Sequence, residues 1–188
     1  MSHRKRFVFY TLTILLLSLV VVSCVTGPSG IPLGSSTGEP APTNGGSIGT
    51  RTKTSGCMSQ DALPDPDCTP GAIFPDATKD KICVPGYSSG VRNVPESEKN
   101  QVYAEYGIKT HTTGQYEVDH LISLELGGSN DIANLWPEPA EPRPGFHEKD
   151  KVENYLHKQV CDGAISLQDA QYQIAHDWMA VYQNLPSQ

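Results

Sequence analysis

The sequence is short of positive charge where a folded domain should lie. It has 14 Lys and Arg against 21 Asp and Glu, and five of the basic residues (Arg4, Lys5, Arg6, Arg51 and Lys53) precede Cys57. Residues 57–188 carry nine basic and twenty acidic side chains, a net −11 with His neutral. That balance repels a phosphate backbone at long range. It excludes tight, sequence-specific nucleic-acid binding, which needs many Lys and Arg contacts. No internal repeat is present, which excludes a solenoid. No Cys-x-x-Cys pair is present, which argues against a structural zinc site. The one long apolar run, residues 7–22 (FVFYTLTILLLSLVVV), is shorter than the roughly 20 residues of a spanning helix.

What is there divides into three parts. Residues 1–24 read as an export signal: a basic stretch (Ser2-His3-Arg4-Lys5-Arg6), the apolar run, then Ser23-Cys24. The small residue before Cys24 resembles a bacterial lipobox, which implies lipidation of Cys24 and a domain anchored outside the cytoplasm. An uncleaved membrane anchor is the alternative, and it places the domain on the same side. Residues 25–56 are rich in Gly, Ser, Thr and Pro and lack the apolar periodicity that buries a core, so a disordered tether is expected. A flexible chain of that length reaches roughly 30 Å. Residues 57–188 are long enough for one compact domain.

Apart from Cys24, the cysteines are Cys57, Cys68, Cys83 and Cys161, an even number in a chain that carries an export signal. Two disulfides are expected, in any of three connectivities. Residues 57–94 hold many turn signals and read as an irregular, disulfide-stapled part. A short helix is expected over 95–107, with Pro95 first and Gly107 last. Residues 116–127 are rich in β-formers up to Gly127-Gly128, and Asn134-Leu135-Trp136 should form the next strand. A helix should start near Phe146 or His147, because Val152, Tyr155, Leu156 and Val160 make a helical stripe. Ser166 should cap the last helix, with Asp169 three residues on. The Pro run 137–144 reads as a surface loop. Glu138, Glu141 and Glu148 read as a solvated face, and Trp136 and Trp178 as core. His157 and His176 read as structural.

The chemistry-bearing stretch is 116–154, YEVDHLISLELGGSNDIANLWPEPAEPRPGFHEKDKVEN. Its order is a strand ending in Asp119-His120, a Gly-Gly turn, Asn134-Leu135, a Pro-rich loop, and His147 at a helix start. Imidazole is suited to take a proton from water near neutral pH, and an adjacent carboxylate to hold a divalent cation. Side chains of neighbouring strand residues point to opposite faces, so both serve one site only if the strand ends or bends there. This stretch resembles the ββα-metal motif of HNH endonucleases. CTPGA (68–72), CVPGY (83–87), VRNVP (91–95) and YAEYGI (103–108) extend the resemblance to one exported bacterial HNH family.

The resemblance implies an α+β fold, with a small ββα-metal unit, flanking helices and the stapled N-terminal part. It implies a metal-dependent endonuclease acting with little sequence specificity on DNA, or on RNA. His120 matches the general base, Asp119 the first metal ligand and Asn134 the central Asn that orients the base and braces the loop. His147 matches the second metal ligand. The interval from Asn134 to His147 is longer than in compact HNH motifs, and Asp150, on the same helical face, is the alternative ligand. Lys149 or Lys151 is expected to contact phosphate. Mg²⁺ or Mn²⁺ suits an oxygen-rich site, and a second imidazole admits Zn²⁺ or Ni²⁺. Two rival readings are a lipid-anchored binding module on an inactive HNH scaffold and a metal-binding envelope protein.

Overall fold

The structure is a computed structural model, and it describes residues 48–186. Residues 1–47, with the signal segment, Cys24 and most of the tether, lie outside the described residues.

Five helices and one small sheet make a mixed α+β fold. The helices are α1 (Lys79–Ile82), α2 (Tyr87–Val91), α3 (Glu96–Glu105), α4 (Phe146–Cys161) and α5 (Leu167–Gln183). The strands β1 (Tyr116–His120) and β2 (Leu135–Pro139) pair antiparallel, with His120 opposite Leu135 and Tyr116 opposite Pro139. No helix among the described residues is long and apolar enough to cross a membrane.

The long helices form where their apolar stripes are. Val152, Leu156 and Val160 of α4 interlock with Ala170, Ile174 and Trp178 of α5, and Ile82, Ile122 and Leu126 complete one buried cluster. Ser166 caps α5 as expected, its hydroxyl accepting from Asp169 N. Both tryptophans are fully buried. α1 and α2 fall inside the stretch expected to be irregular; at four and five residues they are too short to show a helical period.

Three expectations change. The β-rich run 116–127 is a strand only to His120, and Leu124–Leu126 form a 3-10 turn capped by the Ser123 hydroxyl. The strand stops because the Asn134 side chain takes up the backbone groups that a longer ladder would use. Its Oδ1 accepts from Ile122 N at 2.9 Å, and its Nδ2 donates to Ile122 O at 3.0 Å and Ser129 O at 2.9 Å. The loop closes so tightly that a Cβ at Gly128 would overlap the Ile122 carbonyl. Second, Pro137 and Pro139 lie in β2 rather than in a loop. Ala140 N donates to Gln115 O. By alternation, the two prolines place their missing N–H groups on the edge away from β1. Third, Glu138 and Glu148 are buried, and only Glu141 of the expected solvated acids is exposed.

The packed domain also begins before Cys57. Thr52 N and Lys53 N both donate to Asp67 O, Arg51 pairs with Glu105, and Lys53 Nζ meets Asp65 Oδ2 at 2.8 Å. Residues 51–53, assigned by composition to the tether, are therefore held by charge and backbone bonds that composition does not report. Of the three possible connectivities, the disulfides are Cys57–Cys68 and Cys83–Cys161. The first staples this N-terminal part and the second ties the end of α1 to the end of α4. Two such bonds fit an oxidising, extracytoplasmic compartment.

Two outcomes test this account. Asn134→Ala leaves one buried N–H and two buried carbonyls without partners, so it should lower unfolding stability by about 3 kcal/mol in urea titration. Asp65 accepts from Lys53 Nζ and from the backbone N–H groups of Met58 and Asp67. The Lys53 bond, over the opposing effect of burial, holds its carboxyl below the usual value. A depressed folded pKa gives stability that is present above the unfolded value, ~3.9, and lost as pH falls below it. The melting temperature of Asp65→Asn should therefore respond less to acid than that of the wild type.

Candidate functional site

β1, the loop 121–134, β2 and the start of α4 converge on the end of β1. The ammonium of Lys149 lies at the centre of that convergence, with no exposed surface. It donates to Asp119 Oδ2 at 2.8 Å, His120 O at 2.8 Å and Glu153 Oε1 at 2.5 Å, and Glu138 Oε2 lies 3.7 Å away. Burial alone would lower the Lys149 pKa; the Asp119, Glu153 and Glu138 charges outweigh it and hold the pKa well above the usual value. Burial pushes Asp119 up, but the Lys149 charge wins and keeps it below the usual carboxylate value. Burial raises the Glu138 carboxyl well above its ordinary value, against the pull of Lys149. Burial raises Glu153 to about 7.

Lys149 was expected at the substrate phosphate. Its position removes it from that role, because every polar contact of the ammonium is internal. Lys151 lies on the far side of α4, with its ammonium 5.8 Å from the Tyr182 ring centre and 3.8 Å from Glu148. Neither lysine faces the end of β1 as a free cation.

His120 is 1% exposed. Its Nε2 lies 3.2 Å from Asn130 Oδ1. The orientation of that amide is fixed independently, because Asn130 Nδ2 donates to Val91 O at 2.8 Å and Asn130 Oδ1 accepts from Asn93 N at 3.1 Å. An amide oxygen only accepts, so Nε2 must carry the ring proton. Nδ1 is then an unprotonated lone pair, and it is buried with no hydrogen-bond partner among the described residues. Burial lowers the His120 pKa to about 4, against the opposing Asp119 charge and Asn130 bond. The ring is neutral at pH 7 and able to accept a proton at Nδ1.

The expected orienting role of Asn134 passes to Asn130. Asn134 touches only backbone and braces the loop. Asn130 sits in the polar turn Ser129-Asn130-Asp131, where nothing in the sequence separates it from an ordinary turn residue. Glu153 had a signal, four residues after Lys149 on one helix face. The free guanidinium of Arg92 is a further member. It makes no hydrogen bond or ion pair among the described residues, yet its charge acts on Glu117, His120 and Asp150.

His147 and Asp150 are exposed on the first turns of α4. The His147 ring packs against Phe146 at 4.3 Å between centroids, and its charge acts on Glu117 and Asp150. Desolvation and then the Asp119 charge raise the Asp150 carboxyl, so Asp150 shares the field of Asp119. Among the described residues, no group of three ligand atoms surrounds Asp119. Its side chain is 17% exposed and one oxygen is held by Lys149. Such a site is not a closed zinc cage, which takes four protein ligands. The one three-ligand group among the described residues is Cys83, His157 and Cys161, whose ligand atoms lie within 4.8 Å of one another. That spacing could hold a metal ion, but both sulfurs are joined in the disulfide and a metal takes thiolates. His157 otherwise bonds Ile82 O at 3.0 Å.

Nitrogen-detected NMR at pH 7 should show His120 as the Nε2–H form, and Asn130→Ala should mix the two tautomers. A predominant Nδ1–H form in the wild type would contradict the argument.

Comparison with protein-family models, with curated proteins and with solved structures finds no match.

Proposed function

We propose that this chain is an extracytoplasmic, metal-dependent nuclease that hydrolyses phosphodiester bonds with little sequence specificity. One observation carries the reading: a buried, neutral histidine whose Nε2 is locked as a donor and whose Nδ1 lone pair is unpaired, directly following a carboxylate oriented by a buried ammonium. The order of β1, β2 and α4 around that pair supports it, as does the resemblance of residues 116–154 to HNH endonucleases.

In this reading His120 Nδ1 takes the proton of the attacking water, and Asn130 stabilises the imidazolium that forms by accepting from Nε2–H. Lys149 holds Asp119 in place, and Asp119 would hold the metal together with His147 or, in its stead, Asp150. A bound Mg²⁺ or Mn²⁺ would supply counter-charge for the phosphate and the leaving oxygen. Arg92 adds positive charge beside the base. The acidic surface keeps binding weak and sensitive to salt.

A second reading, a binding module on the same scaffold, has its own observation. Lys149 already neutralises Asp119, and among the described residues no group of three ligand atoms includes it.

Full-length protein with its disulfides oxidised should nick supercoiled plasmid in Mg²⁺ or Mn²⁺ and stop in EDTA. His120→Ala should lose about a thousandfold in rate while still folded at the assay temperature, its melting temperature lowered by the loss of a buried ring. Because His120 stays neutral down to about pH 4, the rate should show no acid limb from its protonation between pH 5 and 8. Unimpaired nicking by His120→Ala would remove the assignment of the base. No nicking from folded wild type with any of Mg²⁺, Mn²⁺, Zn²⁺ or Ni²⁺ would leave the binding module.

A further inference from the structure

A groove runs along the outer face of β1, between it and α3. Its volume is about 420 Å³, and Arg92, Lys99, Tyr103, His111 and Glu117 are among the residues that line it. A second cavity of about 460 Å³ shares Asn100, Tyr103 and His111 with it and continues to Lys109. The two make one track. Arg92 marks the end nearer His120, because Asn130 bonds both the His120 ring and the backbone of Val91 and Asn93 on either side of Arg92. Lys109 marks the other end.

The middle of the track is aromatic. Tyr103 and His111 pack with ring centres 4.3 Å apart and planes tilted by 31°, and Tyr116 meets His111 edge-on at 6.4 Å. His111 is exposed and Tyr103 and Tyr116 are half-buried, so these rings are not core packing. Of the three cations, the Arg92 and Lys109 side chains make no hydrogen bond or ion pair among the described residues. Lys99 has only the exposed Glu96 at 3.6 Å. The acids of the track are Glu96, exposed, and Glu117, whose carboxyl is raised by desolvation and by Asp119.

We propose that this track binds a single strand of nucleic acid, with bases against the Tyr103–His111 pair and phosphates on Arg92, Lys99 and Lys109, and leads it to His120. Its destination rests on the nuclease reading; the binding itself does not. Rings interleaved with cations along a groove match the chemistry of an unpaired strand, whose bases are free to stack on a protein ring. A duplex hides those faces and offers mainly its phosphates, which an acidic domain with few cations holds poorly. The substrate class is thereby narrowed to single-stranded or locally unpaired DNA or RNA.

The test is fluorescence anisotropy of the full chain in EDTA, so that no turnover intrudes, with labelled oligo-dT, oligo-rU and a duplex of equal length. Either single strand should bind more tightly than the duplex, and the better of the two names the sugar preferred. Tyr103→Ala should weaken single-strand binding about tenfold, the loss expected for one base–ring stack, and Tyr103→Phe should restore it. His111→Ala, at an exposed position, should also weaken binding. Tyr172→Ala, an exposed ring on α5 outside the track, should not. Tighter duplex binding, or wild-type affinity in both Tyr103→Ala and His111→Ala, would overturn the proposal. Single-strand binding that follows this pattern without any plasmid nicking would keep the track and remove the nuclease reading. Nicking with unchanged affinities would do the reverse.

Discussion

An ammonium group that no water reaches must be matched by charge within the protein, and this requirement organises the middle of the fold. Lys149 satisfies it with Asp119 from β1, Glu138 from β2 and Glu153 from its own helix, plus the carbonyl of His120. Removing one partner of such a group is far more costly than the group is worth as a stabiliser. Its value lies in geometry: four contacts from three elements fix where α4 crosses the sheet, and so where Asp119 points. The raised Glu138 carboxyl follows from burial beside an ammonium that it shares with two other carboxylates.

Two asparagines divide the work of the loop between the strands. Asn134, fully buried, replaces the missing β ladder with side-chain bonds and ends β1 at His120. Asn130 reaches outward instead, joining the His120 ring to the backbone at Val91 and Asn93. The second connection matters beyond local order. It seats the segment bearing Arg92 against the His120 ring, so the cation and the imidazole are positioned by one amide. The Nδ1 lone pair left without a donor is a cost of about 1–3 kcal/mol in a buried setting. A fold that tolerates that cost at a carboxylate-adjacent histidine resembles sites held ready for proton transfer rather than optimised for stability.

The acidic surface and the local field point in different directions, and the local field decides the chemistry. Most acids near the end of β1 are either neutralised by Lys149 or raised toward neutrality by burial. Three cations line the track beside it. Net charge therefore bears on how tightly a polyanion is held, while the arrangement of a few groups bears on what happens to it.

The sequence by itself determined the α4 and α5 stripes, the Ser166 cap, the buried tryptophans and the nearness of Asp119 and His120. These depend on periodicity or adjacency, which are local. It also bounded the cysteine pairing to three connectivities. Only the tertiary structure decided which connectivity forms, that Lys149 is a buried counter-ion and not a phosphate contact, and that Asn130 rather than Asn134 holds the His120 ring. It also placed Glu138 inside, residues 51–53 on the domain, and Arg92 beside His120. Each of these depends on contacts between residues far apart in the chain. A lysine, a turn asparagine or a proline-flanked glutamate carries no mark in its neighbours of what will pack against it. Burial and opposing charge, which set the chemistry of such groups, exist only once distant elements have come together.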